Sequence, residues 1–493
     1  VTDQDAVLRY AGRDADATLR VYQSLCPEIT AMGLDDILAL DVAAVPLVDQ
    51  MHAAGIELDL RATKEFDAFL EQDMLRIRRA MYDLIGKDVN LSSSKQVGQL
   101  LYGDLRLPVL TETDGGQPST DDKTIETLRV RFPHPVLDHI RDYRERHKLK
   151  STYTEPLPIF VREDGRVHTT FSVTRVATGR LASKTPNLMQ QPTRTELGKR
   201  IRQCFKARDG YLLGSWDLDQ IEMRVLAHES EDENLIRVFR EGLDIHKMTA
   251  SLVFRVSIDQ VTEAQRSSAK SIGFGVVYGI SAEGLMAQLY LRGIEASKKQ
   301  CQEMIDAYLS AAYPGVGQYM QRKCAEARRY GYVRDMFGRI RYLPNVRSDL
   351  AWVRGEAERQ AGNSPIQSGA QGLIKLAMSG VHNRVVPSLR SADIDVRPLL
   401  QIHDELIMEF PEDAFEIVNT LMLAEMTQAY RLRVPIGAKG HVGKRWIVPD
   451  TKSPLAATTS RGNRHPPPRS IRALMLWADS TIRRTRWPKM SAL

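Results

Sequence analysis

A chain of 493 residues is too long for one hydrophobic core and predicts two to four packed units. With 43% hydrophobic and 26% charged residues the composition excludes collagen-like and mostly disordered classes, and no apolar run of the roughly 18–20 residues that span a bilayer is expected. The net charge of +6 misleads, because residues 451–493 hold nine basic and one acidic side chain while residues 1–450 hold 59 basic and 61 acidic.

In chain order, residues 5–25 read as a helix that stops before Cys26-Pro27. Long helical patterns fill 35–150, interrupted at 90–95 and by the turn-rich stretch 111–120. The character changes over 158–217, where 167–173 and 211–216 read as strands joined by a loop rich in Arg and Asn. A helical block follows over 220–331, then a hairpin signal around Phe337-Gly338, a helix over 350–381 and two apolar strands within 396–410. Residues 451–470 have a disordered composition, and beyond them Ile471, Leu474, Met475, Ala478 and Ile482 recur at helical spacing among arginines. That tail is either a basic amphipathic helix for DNA or a partner, or a solvated, dispensable extension. The cysteines (Cys26, Cys204, Cys301, Cys324) lie at no metal or redox spacing, and nothing at the start resembles a signal peptide, so reduced thiols in a cytoplasmic compartment are expected.

Three clusters carry chemistry. The strand at 211–216 delivers Asp217, with Asp219 beyond it, and the two strands of 396–410 meet at His403-Asp404-Glu405. Two carboxylates brought together suit a hard divalent ion, although a polar turn accounts for an acid after a strand equally simply. Arg266, Lys270, Phe274 and Tyr278 recur every four residues, a drift of about 40° per step that keeps them on one helical stripe. Two cations followed by two rings suit a ligand with phosphates at one end and a base at the other; an ordinary amphipathic helix shows the same pattern. Arg359, Asn363 and Gln367 repeat the step on another helix, where three hydrogen-bonding side chains either read phosphates and groove edges or form a polar surface. Thr178-Gly-Arg180 and Pro186-Asn187-Leu188 place an arginine and an asparagine in the intervening loop. The glycines of 437–444 have the wrong spacing for a phosphate loop, and neither a metalloprotease histidine pair nor a serine-nucleophile elbow is present.

Taken together and in this order, the clusters resemble the polymerase region of the family-A DNA polymerases. Asp217-Leu-Asp-Gln-Ile-Glu-Met-Arg224 is similar to that family's first motif, Arg266 through Lys270 to Tyr278-Gly279 to its second, and Gln401-Ile-His-Asp-Glu405 to its third. Thr178-Gly-Arg180, Asp244-Ile-His246, Asn363-Ser-Pro-Ile-Gln367, Gly443-Lys-Arg-Trp446, Lys150-Ser-Thr-Tyr153 and residues 90–95 also fit, so the likeness covers about residues 1–450. It implies an α+β fold shaped as a right hand: a palm of antiparallel sheet from 31–56, 149–225 and 341–450, a helical thumb over 57–148 and helical fingers over 226–340. It implies two Mg²⁺ ions, with Mn²⁺ as an alternative, on Asp217, Asp404 and the Leu218 carbonyl, with Glu405 as a neighbouring catalytic acid. Deoxynucleotide would be held by Arg266, Lys270, Phe274, Tyr278, His246, Gln220 and Glu222, the last blocking a 2′-hydroxyl. Primer–template DNA would be held by Arg180, Asn187, Arg359, Asn363, Gln367 and His403. Lys270 would also serve the chemistry.

Residues 10–14 are similar to the last motif of the family's 3′–5′ exonuclease, whose other acids would lie upstream; residues 1–30 are therefore expected to be a remnant, and a monomer without proofreading or membrane attachment is expected. Asp219 departs from the family, which has a small polar residue there, and Met189 and Gln190 fall in a loop that differs from it. Two rival readings remain: a single-subunit RNA polymerase, against which Glu222 argues, and a DNA-binding scaffold, which needs phosphate contacts but no paired acids.

Overall fold

The structure, a computed structural model, describes residues 4–193 and 195–447, so the expectations for the tail at 451–493 lie outside the described residues. The largely buried strand Tyr211–Asp219 and the apolar runs of Arg397–Ile402 and Glu405–Pro411 build a four-stranded antiparallel sheet, completed at one edge by Gly437–Gly443. The spatial order is Gly437–Gly443, Tyr211–Asp219, Glu405–Pro411, Arg397–Ile402. Its register sets Asp217 opposite Glu405 on one side and Lys439 on the other. The strand runs further than the sequence indicates, so that Asp217 lies inside it rather than after it.

Behind the sheet packs the helix Asp35–Ala54, and against that helix the long helix Ala351–Gly380, whose second half is buried almost continuously from Ala361 to Gly380. Asp35–Ala54 corrects the expectation that no segment is long and apolar enough to span a bilayer, with 20 residues and a mean hydropathy of 1.3. Its Leu40, Ala44, Leu47, Val48 and Met51 are instead spent on the core it shares with the Arg397–Ile402 strand and the long helix.

The helices of 221–330 share that main core through Leu226, Leu235, Ile272, Leu285 and Tyr308. Residues 77–143 are different, whereas Phe66, Leu70 and Leu149 on either side of them still belong to the main core. There Ile77, Leu101, Ile125, Leu128, Leu137 and Ile140 close a second core of their own, between the helices Leu60–Ile85, Asp122–Arg131 and Pro135–Leu149. A short strand not foreseen from sequence, Ile56–Leu58, precedes this unit and pairs with Arg166–Val167 and Phe205–Lys206. At the start, the helix Gln4–Ala31 continues through Pro27 instead of stopping before it, because one proline removes a single backbone donor and the helical pattern resumes beyond it. None of its residues is buried.

Candidate active site

The sheet register brings Asp217 and Asp404 together from positions far apart in the chain. Their side chains share a hydrogen bond, and the Leu218 amide donates to the Asp404 carbonyl at 3.1 Å. The turn between the strands is tight: His403 takes φ +57°, and its carbonyl accepts from Gln401 Nε2 and, at 3.1 Å, from Gln371 Nε2. Burial pushes the Asp217 carboxyl up to about 8, with the Asp404 charge the next cause. Asp404 rises to about 6, again chiefly through burial, with Glu222 and Glu405 adding repulsion. Two acids held this way share a proton until a cation replaces it.

Glu405 follows Asp404 but has other partners. Its carboxylate accepts from Ser215 Oγ, pairs with Arg202 at 3.3 Å and lies 3.4 Å from Trp446 Nε1, and Arg202 stacks over the Trp446 ring. The additional acid Asp219 sits between two cations, Arg224 at 3.0 Å and Lys439 at 3.1 Å. Its charge is thereby countered beside the Asp217–Asp404 pair.

A second group closes the site opposite the acids. Glu222 binds Arg180 at 2.6 Å through one oxygen and the Tyr278 hydroxyl through the other. The Glu222 charge is felt at Asp404, and the Arg180 charge at His403, which places all five residues in one cluster. Tyr278 lies just past the end of the helix Glu263–Val277 and is 45% exposed. Gln220 begins the helix that carries Glu222 and takes φ +51°.

Arg266, Lys270 and Phe274 do share that helix; the side chain of Phe274 lies outside the described residues. Arg266 pairs with Asp244 at 3.0 Å, and Lys270 is exposed with no ion pair among the described residues. Burial lowers the proton affinity of the His246 imidazole; Asp244 opposes this, and Lys270 and Arg266 add to it, so the four groups form one cluster.

Asn363 and Gln367 lie on the long helix, and the stem of Arg359 fills the space beside Gly279. Sequence reasoning missed the next member, Gln371, although the four-residue step from 359 through 363 and 367 points to it. Asn187 turns inward: its Oδ1 accepts from Ser183 Oγ at 2.9 Å and from the Met189 amide at 3.0 Å, ordering its own loop.

Around the site, Arg180 Nε, Thr178 Oγ1, Asn363 Oδ1, Gln371 Oε1 and Gln401 Oε1 are buried without a hydrogen-bond partner. Each lacks a partner among the described residues, and buried atoms of the same kind also lie away from the site, as at Gln50, Arg208 and Tyr308. Among the described residues, no three ligating side chains converge as a ready-made cage. The paired acids still fit Mg²⁺, which takes one or two carboxylates and fills its remaining positions with water and phosphate oxygens.

The chain is similar to proteins of one known family. The family model for DNA polymerase family A matches residues 61–448. DNA polymerase I of Pseudomonas aeruginosa is 41% identical over 441 residues, covering 89% of this chain and 47% of the relative. DNA polymerase I of Geobacillus stearothermophilus is 39% identical over 449 residues, covering 90% and 50%. The chain thus spans about half the length of the curated relatives it matches. Among solved structures, the POL domain of Pol1 from M. smegmatis, in complex with DNA primer-template and dNTP, superposes with a TM-score of 0.81 at 36% identity, over 88% of this chain and 74% of that one.

Proposed function

Because this chain belongs to DNA polymerase family A, we propose that it extends a primer 3′-hydroxyl with deoxynucleotides under the direction of a template strand. The observation that carries this reading is the meeting of Asp217 and Asp404, buried, hydrogen-bonded and raised in proton affinity, beside an arginine and a tyrosine. The sheet would then be the palm, the separately cored unit at 57–148 the thumb and the helices of 226–340 the fingers.

Two divalent ions bound by Asp217, Asp404 and the Leu218 carbonyl would supply an acidified 3′-hydroxyl and charge neutralisation at the transferred phosphoryl group. The chain's own residues do the rest. Phosphoryl transfer asks the protein mostly for position and positive charge. Lys270, which no carboxylate among the described residues neutralises, and Arg266 offer that charge to a triphosphate, with His246 beside them. Glu222 is held in place by Arg180 and Tyr278 and would meet a ribose 2′-hydroxyl. Asn363, Gln367 and Gln371 present amides to the terminal base pair from one rigid helix. Glu405, engaged by Arg202 and Ser215, acts as a positioning residue that fixes the turn bearing Asp404.

Primer extension with Asp217→Ala and Asp404→Ala tests this. Each should lose at least about 10³-fold in rate while duplex binding is kept, because what is removed stabilises the transition state. Extension by either variant at the parental rate would refute the proposal.

A further inference from the structure

Residues 321–360 carry ten basic side chains against five acidic ones, while the rest of the first 450 residues hold 49 basic and 56 acidic. Few of these cations are neutralised. Lys323 pairs with Glu326, Arg328 with Glu358 and Arg339 with Asp41. Arg329 and Arg334 have no ion pair among the described residues: the first lies over the Tyr330 ring at 5.1 Å, the second over the Tyr332 ring at 5.6 Å, where it donates to the Gly338 and Met32 carbonyls at 2.9 and 2.8 Å and keeps its charge. Arg347 spends its donors on the carbonyls of Arg328 and Arg329 and keeps its charge.

Interleaved with these cations is a row of rings. Tyr330 and Tyr332 have centroids 5.9 Å apart at an interplanar angle of 30°, and Tyr332 and Tyr342 face each other across the hairpin Tyr332–Arg334/Ile340–Tyr342, also 5.9 Å apart. Tyr330 is 53% exposed and Tyr342 58%. The rings stand outside a small core of Ala327, Val333, Leu343, Val346, Ala357 and Ala361, which fixes the hairpin to the first half of the long helix. A solvated row of aromatic faces flanked by unneutralised guanidiniums matches the chemistry that binds single strands, in which rings stack on bases and arginines meet phosphates.

We propose that Tyr330, Tyr332 and Tyr342, with Arg329 and Arg334, bind single-stranded nucleic acid, namely the unpaired template ahead of the site of synthesis; the strand's identity rests on the polymerase reading above. The long helix supplies the geometry. Gln371 touches the catalytic turn, and Ala357, beneath the hairpin, lies 14 residues away, about 21 Å along the axis. Between them is Arg359, packed beside Gly279 and therefore next to Tyr278. The platform thus lies beyond Tyr278 as seen from the paired acids, where template not yet copied would run.

The test is fluorescence anisotropy on labelled primer–templates that share one duplex but carry a 5′ template overhang of about 2 or about 12 nucleotides, the longer one matching single-strand site sizes. In Tyr330→Ala/Tyr342→Ala, affinity for the long overhang should fall about tenfold, the loss of one stacked base, with affinity for the short overhang held. Tyr330→Phe/Tyr342→Phe keeps the faces and should bind like the parent. Unchanged long-overhang affinity, or an equal fall on both substrates, would overturn the platform. Binding is read without turnover, so a parent that extends primers but gains nothing from an overhang sinks this inference alone. A parent that binds the overhang but never extends a primer sinks the polymerase reading.

Discussion

Asp217 and Asp404 make the site pH-sensitive in a direction set by their burial. Their proton affinities in the folded chain, about 8 and about 6, stand above the ordinary carboxylate value, so the protonated pair is favoured by folding. That contribution is complete below the ordinary carboxylate range and is lost as pH rises through the folded values. Metal-free protein should therefore lose stability from about pH 4 to about pH 8, most steeply below about pH 6 where both acids keep their protons only in the folded chain, and Mg²⁺ should restore it by replacing the proton. Calorimetric titration of Mg²⁺ in buffers of different ionisation enthalpy should show proton release, with a thermal shift that grows with pH and disappears in Asp217→Asn; a pH-independent shift without proton release would contradict this. Glu222 supports a second expectation. Its two oxygens are already occupied by Arg180 and Tyr278, so it cannot swing aside for an added hydroxyl. Glu222→Ala should raise ribonucleotide incorporation by at least about tenfold, a modest share of a steric and desolvation penalty of a few kcal/mol. Competition between ribo- and deoxynucleotides on one template measures it. Tyr278→Phe, which removes only the hydroxyl, should shift the ratio less.

At the scale of elements, Gly279 lies between the cation-bearing helix Glu263–Val277 and the helix Ala282–Tyr290, and its φ of +68° suits only glycine. A Cβ there would stand 2.5 Å from Arg359 Cγ. Gly279→Ala should cost about 1–3 kcal/mol through backbone strain, with the clash in addition, and should slow extension by displacing Tyr278. Gly279→Ala/Arg359→Ala removes the Cγ and Cδ contacts but keeps Arg359 Cβ at 2.8 Å and the backbone strain, so denaturant unfolding should show partial recovery at most; full recovery would mean that the backbone is unstrained. The same elements show what a sequence discloses. The stripe of Arg266, Lys270 and Phe274, the 359–363–367 step and the strand–turn–strand around Asp404 arise from periods of 3.6 and 2 and stand where those periods place them. The partners of the buried acids were not legible. Glu405 meets Arg202, Ser215 and Trp446, and Asp219 meets Lys439, only because strands far apart in sequence pair in one register. Short elements such as Ile56–Leu58 also escape, since three residues show no period and only two neighbouring strands make them a strand.

At the scale of the molecule, the division of the core decides how the chain loosens. The sheet, the long helix and the helices of 221–330 share one cluster, so strain in one is felt by all. The unit at 60–149 closes its own core over residues 77–143 and joins the rest at its base, where Phe66, Leu70 and Leu149 belong to the main cluster and Lys150 pairs with Asp67 at 2.7 Å. Cooperative units that coincide with separate cores open separately. Leu128 is fully buried in the second core, so Leu128→Ala should remove about 2–5 kcal/mol from that unit alone. Hydrogen exchange should then accelerate over residues 77–143, while the strands Tyr211–Asp219 and Glu405–Pro411 keep their protection. If this unit is the thumb that grips duplex, DNA release should quicken while single-nucleotide addition, governed by Asp217 and Asp404, changes little. Faster exchange in the sheet strands to the same degree would show instead that the two cores unfold as one, and that the paired acids depend on the distant unit for their position.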